Sequence, residues 1–150
     1  MKKVVLSLVV FAIVCVTSKA VAQDIPQNQV PSVILNHFQQ NFSKASDVEW
    51  EKDWDNYKVE FETGMFGSDQ EVWYDKTGKI VRHKEDIKTG KLPKNVVQAV
   101  KKNFKGLRIG DVTKITEGSE VVYTMELKDF SEEWDVAIDA NGKILRKMRD

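Results

Sequence analysis

The chain contains the same unit twice, and this repeat constrains its fold more than any other feature. Residues 31–91 and 92–150 each follow an apolar residue and a proline into a periodic stretch closing on Asn-Phe: Val30-Pro31 to Asn41-Phe42, then Leu92-Pro93 to Asn103-Phe104. Each then carries Asp-Val (Asp47-Val48, Asp111-Val112), an alternating segment (Tyr57 to Phe61, Tyr123 to Leu127), and a turn with its exit strand (Asp75 to Ile80, Asp139 to Ile144). Self-similarity in this order means one supersecondary unit used twice.

The periodicities define the unit. Val33, Ile34, Leu35, Phe38 and Phe42 recur at helical spacing behind Pro31, and Val96, Val97, Val100 and Phe104 do the same behind Pro93. After each helix the period falls to 2, the mark of strands. Tyr57, Val59 and Phe61 alternate with Lys58, Glu60 and Glu62, and Tyr123, Met125 and Leu127 alternate with Thr124, Glu126 and Lys128. The apolar set should face the helices and the charged set should face away. Val72 and Tyr74 then match Val136 and Ile138 as inward pairs, while Glu71 and Trp73 point outward and Trp73 matches Ala137. Asp55-Asn56 is expected as one turn, with a first strand around Val48 to Trp54 and exit strands at Lys79 to Lys84 and Lys143 to Met148. The fold expected is α+β: two tandem helix-plus-four-strand repeats, antiparallel, with both helices packed on one face. Lys84 to Lys91 is a charged connector, short enough that the copies should pack together.

Ahead of the repeats, Lys2 and Lys3 precede an apolar run from Val4 to Val16 and a small-residue site at Ala20-Val21-Ala22. Residues 1–22 match a secretory signal peptide, and residues 23–30 read as a flexible leader. Cys15 is the single cysteine and lies inside the apolar run, so a cleaved chain has no thiol to form a disulfide. Cleavage would remove Lys2, Lys3 and Lys19, leaving 20 basic against 23 acidic residues. A mildly acidic chain offers nucleic acid no basic footprint and anionic membranes no electrostatic pull. No stable membrane insertion is expected after cleavage.

The chemistry of catalysis is sparse. Without a cysteine, thiol catalysis and zinc-thiolate sites are excluded. His37 falls on the first helix and His83 on a strand, expected on the outer face; no His-x-x-x-His spacing links them. There is no Gly-x-Ser-x-Gly elbow, and Gly64 and Gly67 lack the Lys-Ser/Thr of a phosphate loop. Asp75 and Asp139 are accounted for as turn residues bonding their own backbone. Glu60 and Glu62 are ordinary on a solvated strand. No enzyme, cofactor or metal is expected. What remains is aromatic: Trp50, Trp54 and Trp134 read as core or sheet-rim residues, whereas Trp73 stands on a face that its neighbours leave free.

The Pro-initiated helix, the Tyr-x-Val-Glu-Phe strand and the Asp-x-x-Gly-Lys hairpin resemble the PepSY-like, β-lactamase-inhibitor-like family of small exported bacterial proteins. The resemblance covers Pro31 to Phe42, Tyr57 to Phe61, Glu71 to Ile80, Leu92 to Phe104, Tyr123 to Leu127 and Asp135 to Ile144. It implies a periplasmic or secreted protein without a catalytic signature, and its named relatives imply a protein-binding sheet face. The leading expectation is a module that uses the helix-free face to bind a protein partner in the cell envelope, an enzyme it inhibits among the options. Trp73 would anchor the contact, surrounded by Lys58, Glu60, Glu62, Glu71, Glu126 and Lys128. A second expectation is a small-molecule or peptide binder using Trp54, Met65 and Phe66. A third, an unrecognised hydrolase, ranks last because no nucleophile and base can be paired. The oligomeric state expected is a monomer or weak dimer.

Overall fold

The computed structural model describes residues 23–65 and 67–149. The signal-peptide expectation, with Cys15, lies outside the described residues, as does Phe66. In chain order the elements are β1 (Gln23–Asp24), α1 (Ser32–Asn41), β2 (Ser46–Asp53), β3 (Asn56–Thr63), β4 (Ser68–Tyr74), β5 (Ile80–Ile87), α2 (Lys94–Asn103), β6 (Arg108–Glu117), β7 (Glu120–Lys128), β8 (Glu133–Asp139) and β9 (Ile144–Arg149). The nine strands form one antiparallel sheet in sequence order. Continuity through the middle comes from β5 and β6, where Arg82 to Ile87 pair with Val112 to Glu117.

Each helix follows its proline, Pro31 or Pro93, which takes the cap position with φ near −55° and has no amide proton to leave unsatisfied. At the other end Asn41 Nδ2 donates to the His37 carbonyl and Asn103 Nδ2 to the Ala99 carbonyl, both at 2.8 Å. The Asn-Phe pairs thus close the helices: the asparagine bonds back one turn, and Phe42 and Phe104 turn into the core. Ile34 and Phe38 of α1 pack with Trp50, Val59, Phe61, Val72 and Tyr74, while Val96, Ala99 and Val100 of α2 pack with Val112, Tyr123, Met125, Leu127, Val136 and Ile138. Burying a side chain such as Ile34 contributes about 2 kcal/mol. Val33, expected on the buried stripe, is 48% exposed, because it stands over the Asp75 to Gly78 turn rather than over the sheet.

Cross-strand partners share a face of a sheet. Val59, Val72, His83 and Thr116 form one continuous series of partners, and Ile87, Val112, Met125 and Val136 another, four positions along the shared strands β5 and β6. The apolar residues of both clusters therefore lie along one side, and the set Lys58, Glu60, Glu62, Glu71 and Trp73 lies on the other.

Four local expectations are corrected. The leader is not loose: Gln23 and Asp24 pair with Lys52 and Glu51, the Ile25 amide donates to the Trp50 carbonyl at 2.9 Å, and Val30 is buried. The first half of the connector is strand, since β5 runs to Ile87 and finds a partner in β6. His83 faces the helix side, because an extra residue near Val81 shifts the register between Tyr74↔Ile80 and Trp73↔Arg82 and reverses the alternation beyond it. The Asp-Val match is out of step, because Trp50 pairs with Val59 while Val112 pairs with Met125, so Trp50 is the counterpart of Val112. Both first strands carry a bulge at this point, which defeats an ungapped comparison.

Candidate functional site

The helix-free face of strands β2 to β6 is built in three cross-strand rows. The first runs Glu51, Lys58, Trp73, Arg82 and Glu117; the second runs Glu49, Glu60, Glu71, Lys84 and Ile115; the third brings Glu62 opposite Asp69, with Asp86 opposite Thr113. The second and third rows line an open groove of about 570 Å³. Asp47, Glu49, Glu60, Glu62, Asp69, Glu71 and Asp86 line it against a single cation, Lys84, and Ile115, Thr113 and Thr124 form its uncharged wall.

Trp73 lies where the alternation places it, on the helix-free side, but only 8% of it is exposed. Its indole Nε1 donates to Asp53 Oδ2 at 2.8 Å, and Lys58, Arg82 and Lys84 sit 5.1–5.5 Å from its ring. Cations at this distance are attracted by the ring's negative face, and their aliphatic stems cover it. The exposed anchor read from the sequence is thus a covered pillar. Its counterpart Ala137 is flanked by Thr124 and Arg146, without an equivalent cationic cover.

Lys58 is the electrostatic centre of the face. Its side chain is 15% exposed, and its ammonium pairs with Glu51 at 3.5 Å, with Glu71 at 3.2 Å and with Glu60. Burial alone would lower its pKa; the carboxylates of Glu60 and Glu71 outweigh that and hold it above the ordinary lysine range. Lys84 bonds Glu71 at 3.2 Å from the other side. On β7, Glu126 and Lys128 pair with each other, which depresses the carboxyl and raises the ammonium. They share the helix-free side, but lie three strands across from Trp73 and at least six residues along from its row, which meets β7 at Glu120, roughly 25 Å away at ordinary strand geometry. Lys58, Glu60, Glu62, Glu71 and Trp73 are therefore brought together, and Glu126 with Lys128 form a separate pair.

The alternative set does not assemble. Trp54, expected in the core or rim, is 75% exposed at φ +54° in the turn joining β2 to β3, and Met65 is 92% exposed in the turn joining β3 to β4. These turns cap opposite ends of β3, roughly 25 Å apart. Trp50 is core, in edge contact with Phe38, and Trp134 is partly buried against Phe104.

Neither histidine reaches the groove. His37 Nδ1 lies 3.4 Å from the Tyr74 hydroxyl, and burial pushes that phenol above its usual range. His83 Nε2 lies 2.8 Å from Gln70 Oε1, its ring edge-on to Phe42, and burial holds it below the ordinary imidazole range. Among the described residues no group of three or more His, Cys, Asp or Glu side chains is arranged to hold a metal ion, and no helix is long and apolar enough to cross a membrane. The groove can attract and orient positive charge; on its wall Thr113 Oγ1 donates to Asp86 Oδ1 at 2.8 Å.

Sequence reasoning missed Asp47, Glu49, Asp69, Asp86 and Lys84 as members of this face. Alternation along β2 and β4 carried the signal for Glu49 and Asp69. Lys84 and Asp86 required knowledge of the bulge in β5.

The model of the family described as "Putative beta-lactamase-inhibitor-like, PepSY-like" matches residues 16–82 and again 55–146. No curated protein matches the chain. Among solved structures, a protein from Bacteroides eggerthii named as a putative periplasmic protein superposes with a TM-score of 0.64 at 18% identity, over 80% of this chain and 88% of that one. A BLIP-like protein from Bacteroides fragilis gives 0.63 at 16% identity, over 83% and 87%. A DUF2874 family protein from Bacteroides uniformis gives 0.62 at 20% identity, over 79% and 88%. These likenesses establish the fold, and the two family matches together run from residue 16 to residue 146: the chain belongs to the beta-lactamase-inhibitor-like, PepSY-like family.

Proposed function

We propose that this protein is an exported, non-catalytic binding module that presents the helix-free face of its sheet to a protein partner in the cell envelope. The observation carrying this reading is the groove on that face: open, about 570 Å³, and lined mostly by charged groups. Two side-by-side copies of the helix-plus-four-strand unit, with both helices on one side, would leave the whole opposite face free for such a contact. The apolar start of the chain and the periplasmic naming of the Bacteroides eggerthii relative support export. The family's description supports an enzyme as the partner to be inhibited. The molecule acts as a monomer or weak dimer in this reading. Trp73 holds the contact surface in shape from beneath, and Lys58, Glu60, Glu62 and Glu71 meet the partner, with Glu126 and Lys128 at its margin.

Capture from envelope extract tests the reading with bulk placed on either side of the sheet. Thr124→Trp obstructs the groove wall, and Asn36→Trp adds the same bulk to the exposed side of α1. A partner retained by the wild type and Asn36→Trp but lost with Thr124→Trp is the expected result. Equal capture by all three would refute the face.

A further inference from the structure

We infer that the groove receives an extended polypeptide segment rich in lysine or arginine; this deepens the binding-face reading above and rests on it. The sheet places Glu49, Glu60 and Glu71 abreast on three neighbouring strands, and Glu62 directly opposite Asp69. Like charges directly opposite one another destabilise a sheet. Lys58 and Lys84 relieve part of the crowding by pairing with Glu51, Glu60 and Glu71. Asp47, Glu49, Glu62 and Asp69 have no ion-pair partner among the described residues and line one groove. The fold tolerates uncompensated like charge here, and an incoming cationic group would offset it.

The geometry selects the form of that cation. The carboxylates do not converge as metal ligands do. They are spread over neighbouring strands about 4.8 Å apart, and successive outward residues such as Glu60 and Glu62 are about 6.8 Å apart along one strand. An extended peptide presents same-side residues at that same interval of about 6.8 Å. Alternate lysines of a segment lying along β3 and β4 would thus meet successive acidic rows, Glu60 with Glu71 and then Glu62 with Asp69.

The probe is a fluorescent peptide of alternating lysine and serine, with alternating glutamate and serine as its counterpart, followed by anisotropy at low and high salt. Glu49→Gln, Glu62→Gln and Asp69→Asn together remove three of the four unpaired carboxylates of the groove. Asp24→Asn, Asp55→Asn and Glu120→Gln remove the same charge elsewhere. The expected result is binding of the lysine peptide alone, weakened about tenfold by the groove triple and less than about twofold by the other. Because the groove triple relieves repulsion, it should unfold no more easily than the wild type, and circular dichroism verifies that it is folded. Absent binding, equal weakening by both triples, or displacement of the peptide by dilute calcium chloride would each overturn the inference. If Thr124→Trp abolishes capture while the lysine peptide ignores the groove acids, the charge inference falls and the binding face stands. If Thr124→Trp leaves capture unchanged, the face itself falls.

Discussion

Replacing Trp73 by alanine separates the covered pillar from the exposed anchor that its strand position first suggests. A buried tryptophan removes roughly 200 Å² from water, which at about 25 cal/mol/Å² is worth about 5 kcal/mol as an upper bound. Compactness of the unfolded chain lowers this by up to about a third, to roughly 3 kcal/mol. The stems of Lys58, Arg82 and Lys84 can settle into part of the space, which recovers some packing, while loss of the indole bond to Asp53 adds about 1 kcal/mol. Trp73→Ala should therefore cost about 3 kcal/mol, and Trp73→Phe, which keeps most of the apolar area, about 1–1.5 kcal/mol. Urea unfolding followed by circular dichroism measures both, provided the slope is unchanged. A cost below about 1 kcal/mol for Trp73→Ala would refute the burial argument. So would a variant of wild-type stability that no longer retains a partner, since that is how an exposed hot spot behaves.

Two further predictions concern the helix side. Gly142 has φ +89°, and a Cβ there would lie 2.7 Å from the Asn95 carbonyl oxygen, so Gly142→Ala should cost about 2–4 kcal/mol; Gly118→Ala, also at positive φ but in open space, should cost about 1 kcal/mol, with thermal unfolding as the readout. His83 has its pKa lowered by burial, with Glu85 opposing and Lys114 reinforcing the shift, so its neutral form is the native one. Below a pH of about 6.5 the unfolded chain takes up a proton that the native site resists, so this contribution is complete above that pH and is lost progressively through the interval below it. His83→Gln should flatten the decline in stability over that interval, and an unchanged slope in denaturation series across pH would contradict the assignment.

The fold was legible because its signals were doubled. A single Tyr-x-Val-x-Phe segment could be one strand among many, but its recurrence as Tyr123-x-Met125-x-Leu127 behind a second Pro-started helix set both the order of elements and the inward face. Bulges were not legible. The extra residue near Val81 changes no local propensity, yet it turns His83 inward and hands Lys84 and Asp86 to the groove. Trp73 was placed on the correct side and its cover was missed, because Arg82 and Lys84 reach it from a neighbouring strand whose alternation the bulge had reversed. Trp54 was missed for a different reason: tryptophan is rare at positive φ, so the turn was assigned one residue late, to Asp55-Asn56. Groove acids on β2 and β4 were individually unremarkable, and their meaning lay in which strands became neighbours.

A sheet laid down in strict chain order keeps its two ends apart. β1 and β9 stand eight strand spacings from each other, roughly 38 Å before twist, whereas the termini of many compact domains lie close together. A tether leading away from Gln23 would hold the molecule by one rim and leave the opposite rim, with Arg146, Lys147 and Arg149 on it, farthest from the point of attachment. Joining the two ends into a ring would need a linker of about eleven extended residues, so circular permutation of this fold is a question of linker reach as much as of stability.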